Sequence, residues 1–374
     1  MTITRRKMIQ VAAAAAWVAS PAPAPARAQV ENVGADAALE AALAEAGAPA
    51  LAGMIVGPDG PVWMGAGGLR RRGAEAAATV DDLWHLGSNT KAMTAALYGR
   101  LVDQERASWT ATAADLFPDV AMDAAWRDAP VTAFMGHVAG LKDETALGRD
   151  WLMTARDDPR TLSGQRRALV TAMLTQPPAG SPGAFAYANS NYVVIGAAIE
   201  RIVGHPWEDV MRAEVFAPLG IETGGFGAPA GDQPWGHRGG VAIDPAGPVT
   251  DNPQAMAPAG TVHMSLGDYA RFLRVFLTNG DGWLSPESLA VLMRPAGAGQ
   301  PAYAGGWLVA GDQPWAGGPA LTHNGSNTMW YASTWVAPGV GRAFVSVSND
   351  GEQGAAACQR LIPGLIRANL SGPA

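Results

Sequence analysis

Lysine is scarce in this chain: residues 7, 91 and 142 are the only three, against 23 arginines. Where either cation would serve, the composition supplies arginine. Lys91 is therefore informative, because a guanidinium stays protonated and cannot act as a base, whereas an amine can. It stands three positions after Ser88 in Ser88-Asn89-Thr90-Lys91. On a helix, i and i+3 share a face, so the hydroxyl and the amine can meet. Near a helix N-terminus the backbone dipole disfavours a cation, and partial burial acts in the same direction. Both lower the lysine pKa and would let a neutral Lys91 take the Ser88 proton, which makes Ser88 a nucleophile. Alone, the spacing fits an N-cap serine followed by a surface lysine equally well.

Two further groups of residues carry suitable chemistry. In Tyr187-Ala188-Asn189 a phenol and an amide lie two apart, so a loop can present both to one cleft. Tyr187 could relay a proton and Asn189 could orient Lys91; a plain loop would carry the same residues. In His323-Asn324-Gly325, ahead of a strand-like run, the glycine permits close backbone approach. The next amide, of Ser326, could form half of an oxyanion hole, with the Ser88 amide as the other half. A simple turn is the alternative.

These residues need elements to hold them. Ala35 to Ala46 reads as a helix. Leu51–Val56 and Pro61–Met64, around the turn Gly57-Pro58-Asp59-Gly60, read as a hairpin. Lys91 to Val102 has helical periodicity. From about Ser108 to Pro295 the pattern is mostly helical, broken by Pro/Gly loops. Strand-like runs return at Gly306–Val309, Trp330–Val336 and Ala343–Ser348, and a last helix is expected over Gly354–Leu370. Strands at both ends with helices between predict an α/β (α+β) body, about 29–107 and 296–374, carrying a helical insertion over about 108–295.

The first 28 residues read as an export signal. Arg5-Arg6-Lys7 forms a charged start, Val11 to Ser20 a short apolar run, and Ala26-Arg27-Ala28 a cleavage site before Gln29. The arginine pair suits a twin-arginine signal, and an ordinary secretory signal is the alternative. An exported, periplasmic protein is expected, with no membrane span after signal removal. With 374 residues, 48% of them hydrophobic, a sizeable core is available. The net charge of −7 argues against nucleic-acid binding, which shows a basic face. Arg70-Arg71-Arg72 reads as a solvated turn. The single cysteine, Cys358, can form no internal disulfide and reads as buried filler. Histidines 85, 137, 205, 237 and 263 lack metal-ligand spacing, so neither metal nor organic cofactor is expected.

Ser-x-x-Lys, Tyr-x-Asn and His-x-Gly, in that order, resemble the serine penicillin-recognising family, in its branch of class C β-lactamases, D-alanyl-D-alanine carboxypeptidases and related esterases. The likeness extends from about Leu51 to Asn349. It includes Phe134 to Leu141 around His137, Gly183 to Gly204, Val215-Phe216-Ala217-Pro218-Leu219-Gly220, and Pro258-Ala259-Gly260 followed by Ser265 and Asp268. The resemblance implies an antiparallel sheet flanked by N- and C-terminal helices, with an inserted all-α domain and the site between them. It also implies roles: Ser88 as nucleophile, Lys91 as base, Tyr187 as proton relay and Asn189 as orienting partner. His323 and Asn324 would line the strand edge that receives substrate. Two departures bear on the substrate. His323 stands where true class C β-lactamases carry Lys, and Asn324 replaces the usual Thr. A histidine is only partly charged near neutral pH, so a substrate carboxylate would be held in a pH-dependent way. A D-Ala-D-Ala carboxypeptidase or esterase type is therefore expected, acting through an acyl-enzyme on a small ester, an amide or a peptidoglycan-derived peptide. A class C-like β-lactamase and a non-catalytic peptidoglycan-binding member are the alternatives.

Overall fold

Residues 32–371 are described by a computed structural model; the leader expected over residues 1–28 lies outside them. The first helix, Val33–Ala46, is capped by Asn32, whose side chain accepts from the Ala35 amide, and it ends at Gly47 in the left-handed region. Strand β1 (Ala50–Gly57) is buried along its whole length. It reads as an unbroken apolar run because both of its faces are covered. Leu51 and Ile55 face the two terminal helices, Val33–Ala46 and Gln353–Ser371, beside Leu39, Leu361 and Leu365. Ala52, Met54 and Val56 alternate onto the main core. Each large apolar side chain removed from water contributes roughly 1.5–3 kcal/mol. Cys358 is buried among the terminal helices, as expected, and burial pushes its thiol up to about 12.

β1 pairs with β2 (Gly60–Gly68) on one side and β11 (Arg342–Ser348) on the other. The sheet continues through β10 (Tyr331–Ala337) and β9 (Gly318–Ser326) to β8 (Leu308–Gln313), and every neighbouring pair is antiparallel. The hairpin, β10, β11 and the final helix fall where the sequence places them, though β2 runs on to Gly68; the run expected over Gly306–Val309 shares only Leu308 and Val309 with β8. β9 is longer than the sequence shows: a turn is one reading of His323-Asn324-Gly325 and the family resemblance implies a strand edge, and the structure places all three inside a nine-residue strand. Gly, Pro and Asn depress strand propensity. Pairing with β10, and with β8 over the first half, overrides it.

The region expected as a helical insertion, about 108–295, is mostly helical and carries short strands as well. Within it lie β4 (Gly225–Phe226), β5 (His237–Arg238), β6 (Val241–Ala242) and β7 (Val262–Ser265). β7 joins β4 and β3 (Leu83–His85) in a small sheet, with His85 opposite His263. The next helix, Leu266–Leu277, belongs to the body. It buries Tyr269, Phe272 and Phe276, and the Tyr269 hydroxyl lies 3.1 Å from that of Thr334 on β10. A four-residue strand between helices is too short for periodicity to separate it from them.

The helical part is pinned by Arg166 on helix Leu162–Leu174. Its buried guanidinium bonds Glu200 and Glu208 and donates to the carbonyls of Gln254 and Ala255. The arginine run 70–72 is a turn with Arg71 and Arg72 exposed, as expected, but its side chains are engaged. Arg70 forks onto buried Asp82 at 2.7 Å, Arg71 lies 4.5 Å over the Trp235 ring, and Arg72 donates to the Gly47 carbonyl. Among the described residues, no helix is long and apolar enough to cross a membrane.

Candidate active site

The turn Gly87–Asn89 leads directly into helix Thr90–Asp103. Gly87 has φ +52, and a Cβ there would stand 2.4 Å from the Ser326 nitrogen; a Cβ on Gly325 would stand 2.7 Å from the Ser88 nitrogen. Two backbones thus touch without side chains between them, as only glycine allows. This contact brings the Ser88 and Ser326 amides to one place. β8 pairs with β9 only up to Thr322, so residues 323–326 form an open strand edge beside Ser88.

Lys91 is fully buried. Its Nζ lies 2.9 Å from Ser88 Oγ, 2.8 Å from Asn189 Oδ1 and 2.7 Å from the Ala259 carbonyl. The last two are acceptors only, and the serine hydroxyl can donate or accept. A neutral amine satisfies this set: two N–H groups go to the carbonyl oxygens and the lone pair meets the Ser88 O–H. Burial lowers the lysine to about 7, opposed by the charge of Asp143. The surface-lysine reading is thereby excluded.

Tyr187 donates its hydroxyl to Ser88 Oγ at 2.9 Å. Its side chain is 43% exposed, and desolvation at the site still raises the phenol's pKa, so it stays protonated. His137, at φ +57, packs its ring 4.4 Å from the Tyr187 ring. Its Nδ1 accepts from the Ala188 amide at 3.3 Å and lies 3.1 Å from Asn191 Nδ2, which fixes the Tyr187–Asn189 loop. Burial holds His137 well below its usual pKa, and Lys91 adds to this.

The sequence does not reveal Asp143. Its carboxylate accepts from the Asn189 side chain and amide, both at 3.0 Å, and from the Ser190 amide at 2.8 Å. It caps helix Ser190–Val203 and turns the Asn189 oxygen toward Lys91. The only signal was its nearness to the His137–Leu141 segment. The Ala259 carbonyl and Tyr303 were likewise unread.

His323 differs from expectation. It is buried, with Nε2 2.8 Å from the Tyr303 hydroxyl and Nδ1 2.7 Å from the Asn324 carbonyl. A carbonyl can only accept, so the proton sits on Nδ1 and Tyr303 donates to Nε2. Burial, and then Lys91, lowers the imidazole to about 3. It is neutral across the physiological range, and the expected pH-dependent cation is absent at this position. Asn324 and Ser326 are exposed, and Ser326 Oγ donates to the Trp330 carbonyl at 2.7 Å. All eight residues singled out from the sequence thus converge on one region. A neighbouring cavity of about 640 Å³, lined among others by Arg156, Arg212, Asp251, Ala257 and Thr261, opens nearby without Ser88 in its wall.

The family model described as Beta-lactamase matches residues 35–363. The chain is 28% identical over 320 residues to penicillin-binding protein 4 of Amycolatopsis lactamdurans, covering 80% of this chain and 81% of that one. A D-stereospecific amidohydrolase from a Streptomyces species superposes with a TM-score of 0.70 at 20% identity, over 92% of this chain and 100% of that one. D-amino acid amidase from Ochrobactrum anthropi SV3, in complex with L-phenylalanine amide, superposes with a TM-score of 0.71 at 19% identity, over 90% and 99%. Helices around an antiparallel sheet, and a profile match over most of the chain, lead to one conclusion: this protein belongs to the β-lactamase family and is a serine hydrolase.

Proposed function

We propose that the protein is an exported amidase or esterase that works through an acyl-enzyme on Ser88. The observation that carries this reading is the 2.9 Å contact between Ser88 Oγ and a buried Lys91 Nζ whose other two partners are neutral oxygens. Neutral Lys91 takes the Ser88 proton as Oγ attacks the substrate carbonyl. The Ser88 and Ser326 amides donate to the oxygen as it gains charge. The proton held by Lys91 is then relayed to the leaving alcohol or amine through the Tyr187 hydroxyl, so that Lys91 and Tyr187 both end neutral, and Asn189 keeps Lys91 aligned. Water then attacks the acyl-enzyme by the reverse proton path, releasing the acid and free Ser88.

The neutral His323 bears on substrate class. It leaves no cation at the third motif for a carboxylate, which favours an ester or an uncharged amide over a carboxypeptidase substrate or a penicillin. The amidase and amidohydrolase names among the structural neighbours agree with this choice. The leader supports export, with cleavage before Gln29 as the expected mature N-terminus.

The test is intact-mass analysis after exposure to a fluorophosphonate, with turnover of p-nitrophenyl esters, a D-amino acid amide, a D-Ala-D-Ala peptide and nitrocefin. The expected result is an adduct and ester or amide turnover, both abolished in Ser88→Ala. An adduct that survives Ser88→Ala refutes the assignment. Dominant nitrocefin turnover would make the protein a β-lactamase, and peptidoglycan binding with no turnover at all a binding module.

A further inference from the structure

We infer that Asp251 is a positioning residue that locks together the two backbone segments whose amides meet the substrate oxygen. The inference rests on the reading of Ser88 as nucleophile. Asp251 lies in the loop between β6 and β7, far in sequence from either segment, and its side chain is only 8% exposed. One carboxylate oxygen, Oδ2, is 2.8 Å from His85 Nε2. His85 Nδ1 in turn is 3.1 Å from the Gly87 amide nitrogen. A backbone N–H can only donate, so Nδ1 carries the lone pair and Nε2 carries the proton that Asp251 accepts. This arm ends one residue before Ser88.

The other oxygen, Oδ1, accepts from Asn327 Nδ2 at 2.8 Å and from the Asn252 amide at 2.7 Å. Asn327 Oδ1 then accepts from the amides of Met329 and Trp330, both at 3.1 Å. This arm ends one residue after Ser326. The His85 ring also stacks on Trp330 at 5.6 Å, which closes the structure into a ring.

Such a strut has a purpose at this place. Gly87 sits in a left-handed turn, and residues 323–326 have no β8 neighbour. Neither segment is held by regular pairing on the side that faces substrate. A pair of oxyanion donors must nonetheless stay within about 0.5 Å of its working geometry. Asp251 supplies a single rigid group bonded to both sides. Its loop also lines the neighbouring 640 Å³ cavity, and Arg156 donates to its carbonyl.

Asp251→Asn separates this role from simple packing. An asparagine of the same shape can still accept from Asn327. Facing His85, however, it would donate its N–H₂, drive the imidazole proton to Nδ1 and oppose the Gly87 N–H. Loss of one oxyanion donor costs about 10²–10³ in rate, so a misaligned donor is expected to lower kcat for a p-nitrophenyl ester by about 30- to 100-fold. KM should stay within about threefold. Affinity for phenylboronic acid, whose adduct on the serine is tetrahedral, should fall in parallel with kcat. His85→Asn keeps an acceptor near the Nδ1 position but cuts the link to Asp251; it is expected to act in the same direction and decides the matter should Asp251→Asn fail to fold. A folded variant with wild-type kcat and boronic acid affinity overturns the inference, as does a loss confined to KM. Absence of turnover and of a Ser88 adduct in the unmodified protein would instead overturn the proposed function.

Discussion

Two cations are sealed inside this protein, and their surroundings differ. Arg166 and Lys91 are both fully buried. Arg166 is enclosed by two carboxylates and two carbonyls, so its charge is answered within hydrogen-bonding distance. Lys91 bonds a hydroxyl, an amide oxygen and a carbonyl and lies over the Tyr187 and Tyr192 rings, with no carboxylate in contact. Its nearest negative charge, Asp143, stands one residue away behind Asn189. Buried with carboxylates, one cation is structural; buried without them in contact, the other is a candidate base.

The largest effect that would break this contrast is expected at Lys91. Lys91→Arg puts a permanent cation in place of the base, and should lower kcat/KM for an activated ester by about 10³- to 10⁴-fold. Lys91→Met should lose as much activity yet raise stability at pH 7 by on the order of a few kcal/mol. The sign follows from the pKa. Lys91 lies at about 7 in the folded chain and 10.5 as its ordinary value, so between these the unfolded chain binds more protons. Stability therefore rises with pH across that window. The gain from Lys91→Met should be greatest below about pH 7 and shrink toward pH 10.5, as read from urea unfolding at several pH values.

Next in size, Arg166→Met should cost about 3–5 kcal/mol of stability, because it strands two buried carboxylates. Its kcat per folded molecule should stay near wild type. A selective loss of kcat there would blur the distinction between the two cations.

The smallest effect is expected from Asp143→Asn. The wild-type acylation rate should rise with pH through about 7 and level off, since only the neutral amine accepts a proton. The charge of Asp143 raises the Lys91 pKa, so its removal should move that limb to lower pH, with a several-fold rate loss as Asn189 loses its anchor. An unmoved limb in stopped-flow acylation would show that Asp143 acts on Lys91 through geometry alone.

Much of the site was legible because its chemistry lies in short motifs. Ser88 and Lys91 share one helical turn, and Tyr187 and Asn189 share one loop, so local spacing carried them. The hairpin β1–β2 and the terminal helices announced themselves through composition and periodicity. What escaped was relational. Asp143 meets Asn189 across 46 residues and Ala259 meets Lys91 across 168, distances over which no pattern speaks. The start of β9 was hidden because glycine, proline and asparagine are poor strand formers, and Gly325 is needed for contact with the Ser88 turn. The charge of His323 was misjudged for a related reason: residue type gives the ordinary pKa, and burial beside Tyr303 sets the actual one.

The sheet order carries a consequence in time. β1 lies between β2 and β11, with Leu51 opposite Ser348. During synthesis the β1–β2 hairpin is complete long before its other neighbour exists. Its apolar residues must wait for nearly the whole chain before the terminal helices can cover one face. Contacts of such long range are slow to form, and the half-built sheet leaves an unpaired edge prone to association. The last strand and helix thus act as the clasp of the molecule, and the Ser88 site above the sheet gains a rigid floor only when that clasp is shut.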